Sequence, residues 1–72
     1  MELPRFCIVG DRPVKALPTK DGGMDVLAYD WATGEFTRDM SYLHRIVMPD
    51  VEVELLTEDE FERRVAQLRG QL

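Results

Sequence analysis

A chain of 72 residues, 44% hydrophobic and 32% charged, has room for a single domain spanning 1–72. It is too apolar for a disordered tail and too polar for a membrane span. A net charge of −5 argues against nucleic acid and anionic membrane as partners, and one cysteine and one histidine exclude an internal disulfide framework and leave little for metal chemistry.

A domain this small is short of core, so self-association as a homodimer, or a permanent protein partner, is expected to supplement its stability. The apolar run Phe6 to Val9 is far shorter than a signal-peptide core, and a lone reduced Cys7 fits a cytoplasmic protein. Arginine outnumbers lysine seven to two, asparagine is absent and Ser41 is the only serine, a bias expected of a GC-rich bacterial genome.

Arg5 to Val9 reads as a short strand, and Gly10-Asp11-Arg12-Pro13 as a turn. Val14 to Leu17 is the returning strand. Pro13 and Pro18 at its ends lack a backbone donor, which predicts an edge position. After the loop Lys20 to Gly23 comes the strongest strand, Met24 to Asp30. It has apolar side chains on both faces and is expected to be central.

Asp30-Trp31-Ala32-Thr33-Gly34-Glu35-Phe36 predicts a hairpin, so that a central hairpin occupies about 24–38. A four-residue loop with Gly34 left-handed and Asp30 accepting from the backbone two residues on is favoured over a three-residue loop. It sets Tyr29 against Phe36. The segment Arg38 to Met48 reads as a short helix, Met40 to Val47, capped by Asp39, with a strand over His44 to Met48 as the competing assignment. On that helix Met40, Leu43 and Val47 share a side, flanked by Ile46.

Val51 to Leu55 alternates, which predicts a strand with its apolar face inward and Glu52 and Glu54 in water. The last element is a helix over about 58–69. Thr57 is its N-cap, Glu60 completes a capping box, Leu56 and Phe61 form a hydrophobic staple, and Gly70 ends it. Asp59–Arg63 and Glu60–Arg64 are spaced for ion pairs. The stripe Phe61, Val65, Leu68 and Leu72 suits packing on the domain's own sheet, or less well on a second subunit. The expected fold is therefore α+β: a small antiparallel sheet of four or five short strands packed against a C-terminal helix.

No constellation for catalysis emerges. Cys7 and His44 are the only thiol and imidazole, but Cys7 lies in an apolar strand where its thiolate is disfavoured. Ser41 lacks a nucleophile elbow, Gly22-Gly23 lacks the phosphate-loop pattern, and Asp50-Glu52-Glu54 has Leu55 where a calcium loop needs glycine. The chain is expected to be no enzyme and to need no cofactor and no metal. What remains is a charge asymmetry. Residues 50–62 hold seven acids and no base, whereas residues 1–20 hold four bases and two acids. Much of this is an ordinary solvated strand face plus an acidic helix start. It would equally serve as a docking surface for a basic protein.

Trp31, on a hairpin loop, is either an interface anchor or a cover for the small core. The expected function is a non-enzymatic protein-interaction module, of the inhibitor or regulatory kind that antitoxins and immunity proteins represent. Its contact residues would be Trp31, Glu52, Glu54, Glu58, Asp59 and Glu62. The alternative is a structural homo-oligomer joined by a sheet edge or by the helix stripe.

Overall fold

The computed structural model describes residues 2–71, so Leu72 of the predicted stripe lies outside the described residues. Five strands, β1 (Arg5–Val9), β2 (Arg12–Pro18), β3 (Met24–Tyr29), β4 (Phe36–Arg38) and β5 (Val53–Leu56), form one antiparallel sheet in the order β4-β3-β2-β1-β5. The first four make a meander. The chain then crosses one face of the sheet through a 3-10 turn (Met40–Tyr42) and helix α1 (Leu43–Val47), and inserts β5 at the far edge beside β1. Helix α2 (Glu58–Arg69) covers the other face. The α+β fold read from the sequence is the one observed.

Strand alternation divides the core into two layers. Cys7, Val9, Val14, Ala16, Val26 and Ala28 point toward the crossover and enclose Ile46. Phe6 and Tyr29 point the other way, onto Phe61 and Val65 of α2, with Phe36, Leu56 and Leu68 at the margin. The sheet is thus packed on both faces, where the sequence reading set only the C-terminal helix against it.

The hairpin forms as predicted. Asp30 N–H donates to the Glu35 carbonyl at 2.8 Å, Asp30 Oδ1 accepts from Ala32 N–H at 2.9 Å, and Gly34 takes φ 76°. Tyr29 and Phe36 are cross-strand partners with ring centroids 5.7 Å apart. The expected edge position of the second strand is corrected: β2 lies between β1 and β3. The ladder accommodates both prolines because neither aims its nitrogen at a strand. The position of Pro13 faces β3 beyond Val14–Ala28, where that pairing has ended, and Pro18 faces β1 before Arg5, where it has not begun.

The segment after β4 is helical, as expected, and Asp39 caps it by accepting from Ser41 N–H at 3.1 Å. The buried residue differs from expectation. Ile46 is fully buried while Val47 is 44% exposed. The first turn is 3-10, so the inward residues follow an i, i+3 spacing (Met40, Leu43, Ile46) instead of ending on Val47. Arg5 ties the end of α1 to the sheet by donating to the Ile46 carbonyl at 2.9 Å.

Helix α2 begins in the predicted capping box: Thr57 N–H donates to Glu60 Oε1 at 2.9 Å, and Glu60 N–H to Thr57 Oγ1 at 3.2 Å. Phe61 is 1% and Val65 2% exposed, so the stripe is spent on the domain's own sheet. At the far end Arg69 Nε donates to the Gly34 carbonyl at 2.8 Å and ties the helix to the hairpin loop.

Candidate interaction surface

Strand β5 is an edge of the sheet, and its hydrogen bonding shows which groups it leaves open. Gly10 N–H donates to the Glu52 carbonyl at 3.1 Å, so the bonded pairs with β1 fall at Ile8–Glu54 and Phe6–Leu56. The backbone groups of Val53 and Leu55 therefore point off the sheet. Val53 N–H is taken by the Asp50 carbonyl at 3.1 Å, which leaves the Val53 carbonyl and both backbone groups of Leu55 on the open edge. The Leu55 side chain lies on the α1 face opposite Cys7, but α1 packs over β1 and β2 and stops short of it. Leu55 is accordingly 53% exposed.

The predicted acidic residues gather around this edge. Glu52 pairs with Arg45 at 3.3 Å and Asp50 with the same guanidinium at 3.7 Å. Glu54, on the α2 face, pairs with Arg64 at 3.4 Å. Such exposed pairs contribute about 0–1 kcal/mol and are screened by salt, so they leave the carboxylates available to a better partner. Glu58, Asp59 and Glu62 are exposed on the first turns of α2 and have no cationic side chain within ion-pair distance among the described residues.

Neither predicted helix ion pair forms. Glu60 is held in the capping box, Arg64 reaches the strand instead, and Arg63 Nε bonds the Asp59 carbonyl at 3.4 Å. The Thr57 backbone N–H, and then its hydroxyl, hold the Glu60 carboxyl below the usual carboxylate range.

Trp31 belongs elsewhere. It lies on the hairpin loop to which the C-terminal end of α2 is tied, whereas Glu58 opens the helix about 17 Å away along its axis. The structure therefore brings Glu52, Glu54, Glu58, Asp59 and Glu62 to the β5 side and leaves Trp31 at the other end of α2. The indole packs edge-on against Tyr29 at 5.3 Å and is 42% exposed. The Arg12 guanidinium sits 5.8 Å from the Trp31 ring and 6.0 Å from Tyr42, and donates to the Tyr42 hydroxyl at 3.1 Å. Trp31 thus joins the hairpin loop to the crossover while keeping one side in water.

The sequence reading missed the apolar part of the surface. Among the described residues, the exposed large hydrophobic side chains are Val47, Met48, Val51 and Leu55, all within residues 47–55, and Trp31. Val51 was expected to start the strand and face inward. It is instead fully exposed in the turn before β5, because Asp50 caps that turn by accepting from Glu52 N–H at 2.9 Å. A run of acids interleaved with valines looks like a half-buried strand; the exposure depends on where α1 ends.

The residues weighed for catalysis are placed apart in character. Cys7 is fully buried in the sheet, where desolvation pushes its thiol up against a smaller opposing effect of Arg5, and His44 is exposed on α1. Among the described residues, no group of three or more His, Cys, Asp or Glu is arranged to hold a metal, and no helix is long and apolar enough to cross a membrane. A groove of about 240 Å³, lined by Glu2, Pro4, Arg5, Phe6, Leu55 and Leu56, runs across the end of β1 and β5. It is smaller than the roughly 300–1,000 Å³ of small-molecule sites and opens onto the same edge. Comparison with protein-family models, curated proteins and solved structures yields no match.

Proposed function

We propose that this chain is a cytosolic, non-enzymatic protein-interaction module, an inhibitor or regulatory subunit that holds a basic partner against β5 and the start of α2. The observation that carries this reading is the concentration of exposed large apolar side chains in residues 47–55, framed by Glu52, Glu54, Glu58, Asp59 and Glu62. An apolar centre with a charged rim is the arrangement of protein interfaces, and the carboxylates would steer a cationic partner and set its orientation. The buried thiol, whose thiolate is disfavoured, supports a role without chemistry at Cys7.

The test compares the protein with a Glu58→Gln, Asp59→Asn, Glu62→Gln variant, which removes charge without reversing it at the helix start. Immobilised on a column, the parent protein should retain a specific cellular protein at low salt and release it as salt rises. The variant should retain at least about tenfold less. Equal recovery by both would refute the acidic docking face. Self-association is the competing reading. It has lost one of its two surfaces, since Phe61 and Val65 are buried on the sheet.

A further inference from the structure

We propose that the open edge of β5 binds an extended, basic segment of the partner protein, which adds to the sheet as a sixth strand beside Val53–Leu56. This rests on the interaction reading above and specifies how the contact is made.

The two edges of the sheet differ in how they are guarded. β4 is three residues long, and its outward residues are Phe36 and Arg38, the latter paired with Asp25 at 3.0 Å. A short edge carrying a charged side chain is how sheets discourage added strands. β5 presents the Leu55 N–H, the Leu55 carbonyl and the Val53 carbonyl along an edge whose central outward residue is a half-exposed leucine. Exposed Met48 and Val47 end α1 on the same face of the sheet.

Charge decides what can occupy this edge. One end is flanked by Asp50 and Glu52, and the other by Glu58 and Asp59. A second copy of this chain pairing antiparallel would set Asp50 and Glu52 of one molecule against Glu58 and Asp59 of the other. Parallel pairing would set like ends together. Carboxylate meets carboxylate in either orientation, and among the described residues Arg45 alone forms an ion pair with these end groups, at the Asp50 and Glu52 end. A foreign strand with cations toward both ends meets carboxylates at each end, and has only the exposed pairs made by Arg45 and Arg64 to compete with. Alternation adds a second requirement: its apolar side chains should lie on the Leu55 face and its basic ones on the Glu54 face.

The experiment uses the full chain, a short peptide alternating lysine and valine, its glutamate–valine counterpart, and a version with proline at alternate positions. Binding is followed by calorimetry and amide exchange. The lysine peptide should bind at least about tenfold more tightly than the other two, weaken as salt rises, and protect the Leu55 amide from exchange. Leu55→Lys, which places a cation on the edge, should abolish that protection while the far-ultraviolet circular dichroism is unchanged.

Equal binding of the proline peptide, or protection that spares Leu55, would overturn strand addition. So would failure of the lysine peptide to bind. If the charge-neutralised helix variant still loses its cellular partner, such a failure falls on the mode of contact and not on the acidic face. A concentration-dependent dimer that strengthens with salt and disappears in Leu55→Lys would also overturn the proposal, in favour of a second copy on the edge.

Discussion

Phe61 fastens α2 to the sheet, and its removal tests the two-layer core most directly. The ring is 1% exposed, with centroids 5.0 Å from Phe6 and 5.8 Å from Phe36. Truncating a buried phenylalanine to alanine costs about 3–5 kcal/mol in lost transfer energy and residual cavity. A single core in a domain of this size supplies roughly 3–5 kcal/mol of net stability. Phe61→Ala should therefore stand close to its unfolding midpoint at 25 °C without denaturant, whereas Phe61→Leu, at about 1–1.5 kcal/mol, should fold with a lower urea midpoint. Circular dichroism and Trp31 fluorescence across a urea titration report both. The opposite layer gives the control: Ile46→Val should cost about 0.5–1.5 kcal/mol, and the Ile46→Val, Phe61→Leu double variant should be additive within about 0.5 kcal/mol. A Phe61→Ala protein with a midpoint near that of the parent would mean that α2 is not held by its stripe. The stripe would then be free to meet another molecule, and the interface argued for β5 would lose its basis.

Further outcomes follow from single groups. Thr57→Ala should lower stability by about 1 kcal/mol, read as a shift in the thermal midpoint, since it removes half of the capping box. The hydrogen bonds from Ser41 to Asp39 and from Thr57 to Glu60 hold both carboxyls below their unfolded values. Their stabilisation is complete above the unfolded carboxylate range and is lost as pH falls through the depressed folded values. The thermal midpoint should be flat near neutrality and decline below about pH 4, less steeply in Asp39→Ala. Cys7 should resist thiol reagents in the native protein at neutral pH and react fully once unfolded, because it is buried and its thiol is pushed up. Arg12→Gln should raise the acrylamide quenching of Trp31, since the guanidinium covers one side of the indole and anchors to Tyr42.

Most of the fold was legible because local chemistry agreed with the global arrangement. Thr57 and Glu60 announce a helix start that no tertiary contact needs to correct, and the Asp30 to Gly34 turn sets the Tyr29–Phe36 register by its own hydrogen bonds. Misreadings came where a local rule depends on a neighbour. A proline forbids a central strand only if its nitrogen aims at a partner, and Pro13 and Pro18 each aim past a strand end. Ile46 replaced Val47 in the core because a 3-10 turn changes which residues of the crossover share a face, and sequence spacing does not distinguish 3-10 from α.

The candidate surface shows the same division more sharply. Its charges were legible, since acids near Leu55 remain acids whatever the fold does. Its apolar half was not. Alternation across Val53, Glu54 and Leu55 says that the hydrophobic residues share a face, but it does not say whether that face is covered at the fifth strand. Coverage is set by the crossover: a segment of 3-10 turn and five-residue helix reaches across β3, β2 and β1, and ends where Arg5 caps the Ile46 carbonyl. Each further α-helical turn would carry the chain about 5.4 Å farther. The chain instead turns at Pro49-Asp50, so α1 stops short of Leu55. The length of α1, a quantity that hydrophobic pattern does not encode, thus leaves β5 open as an apolar edge inside an acidic frame.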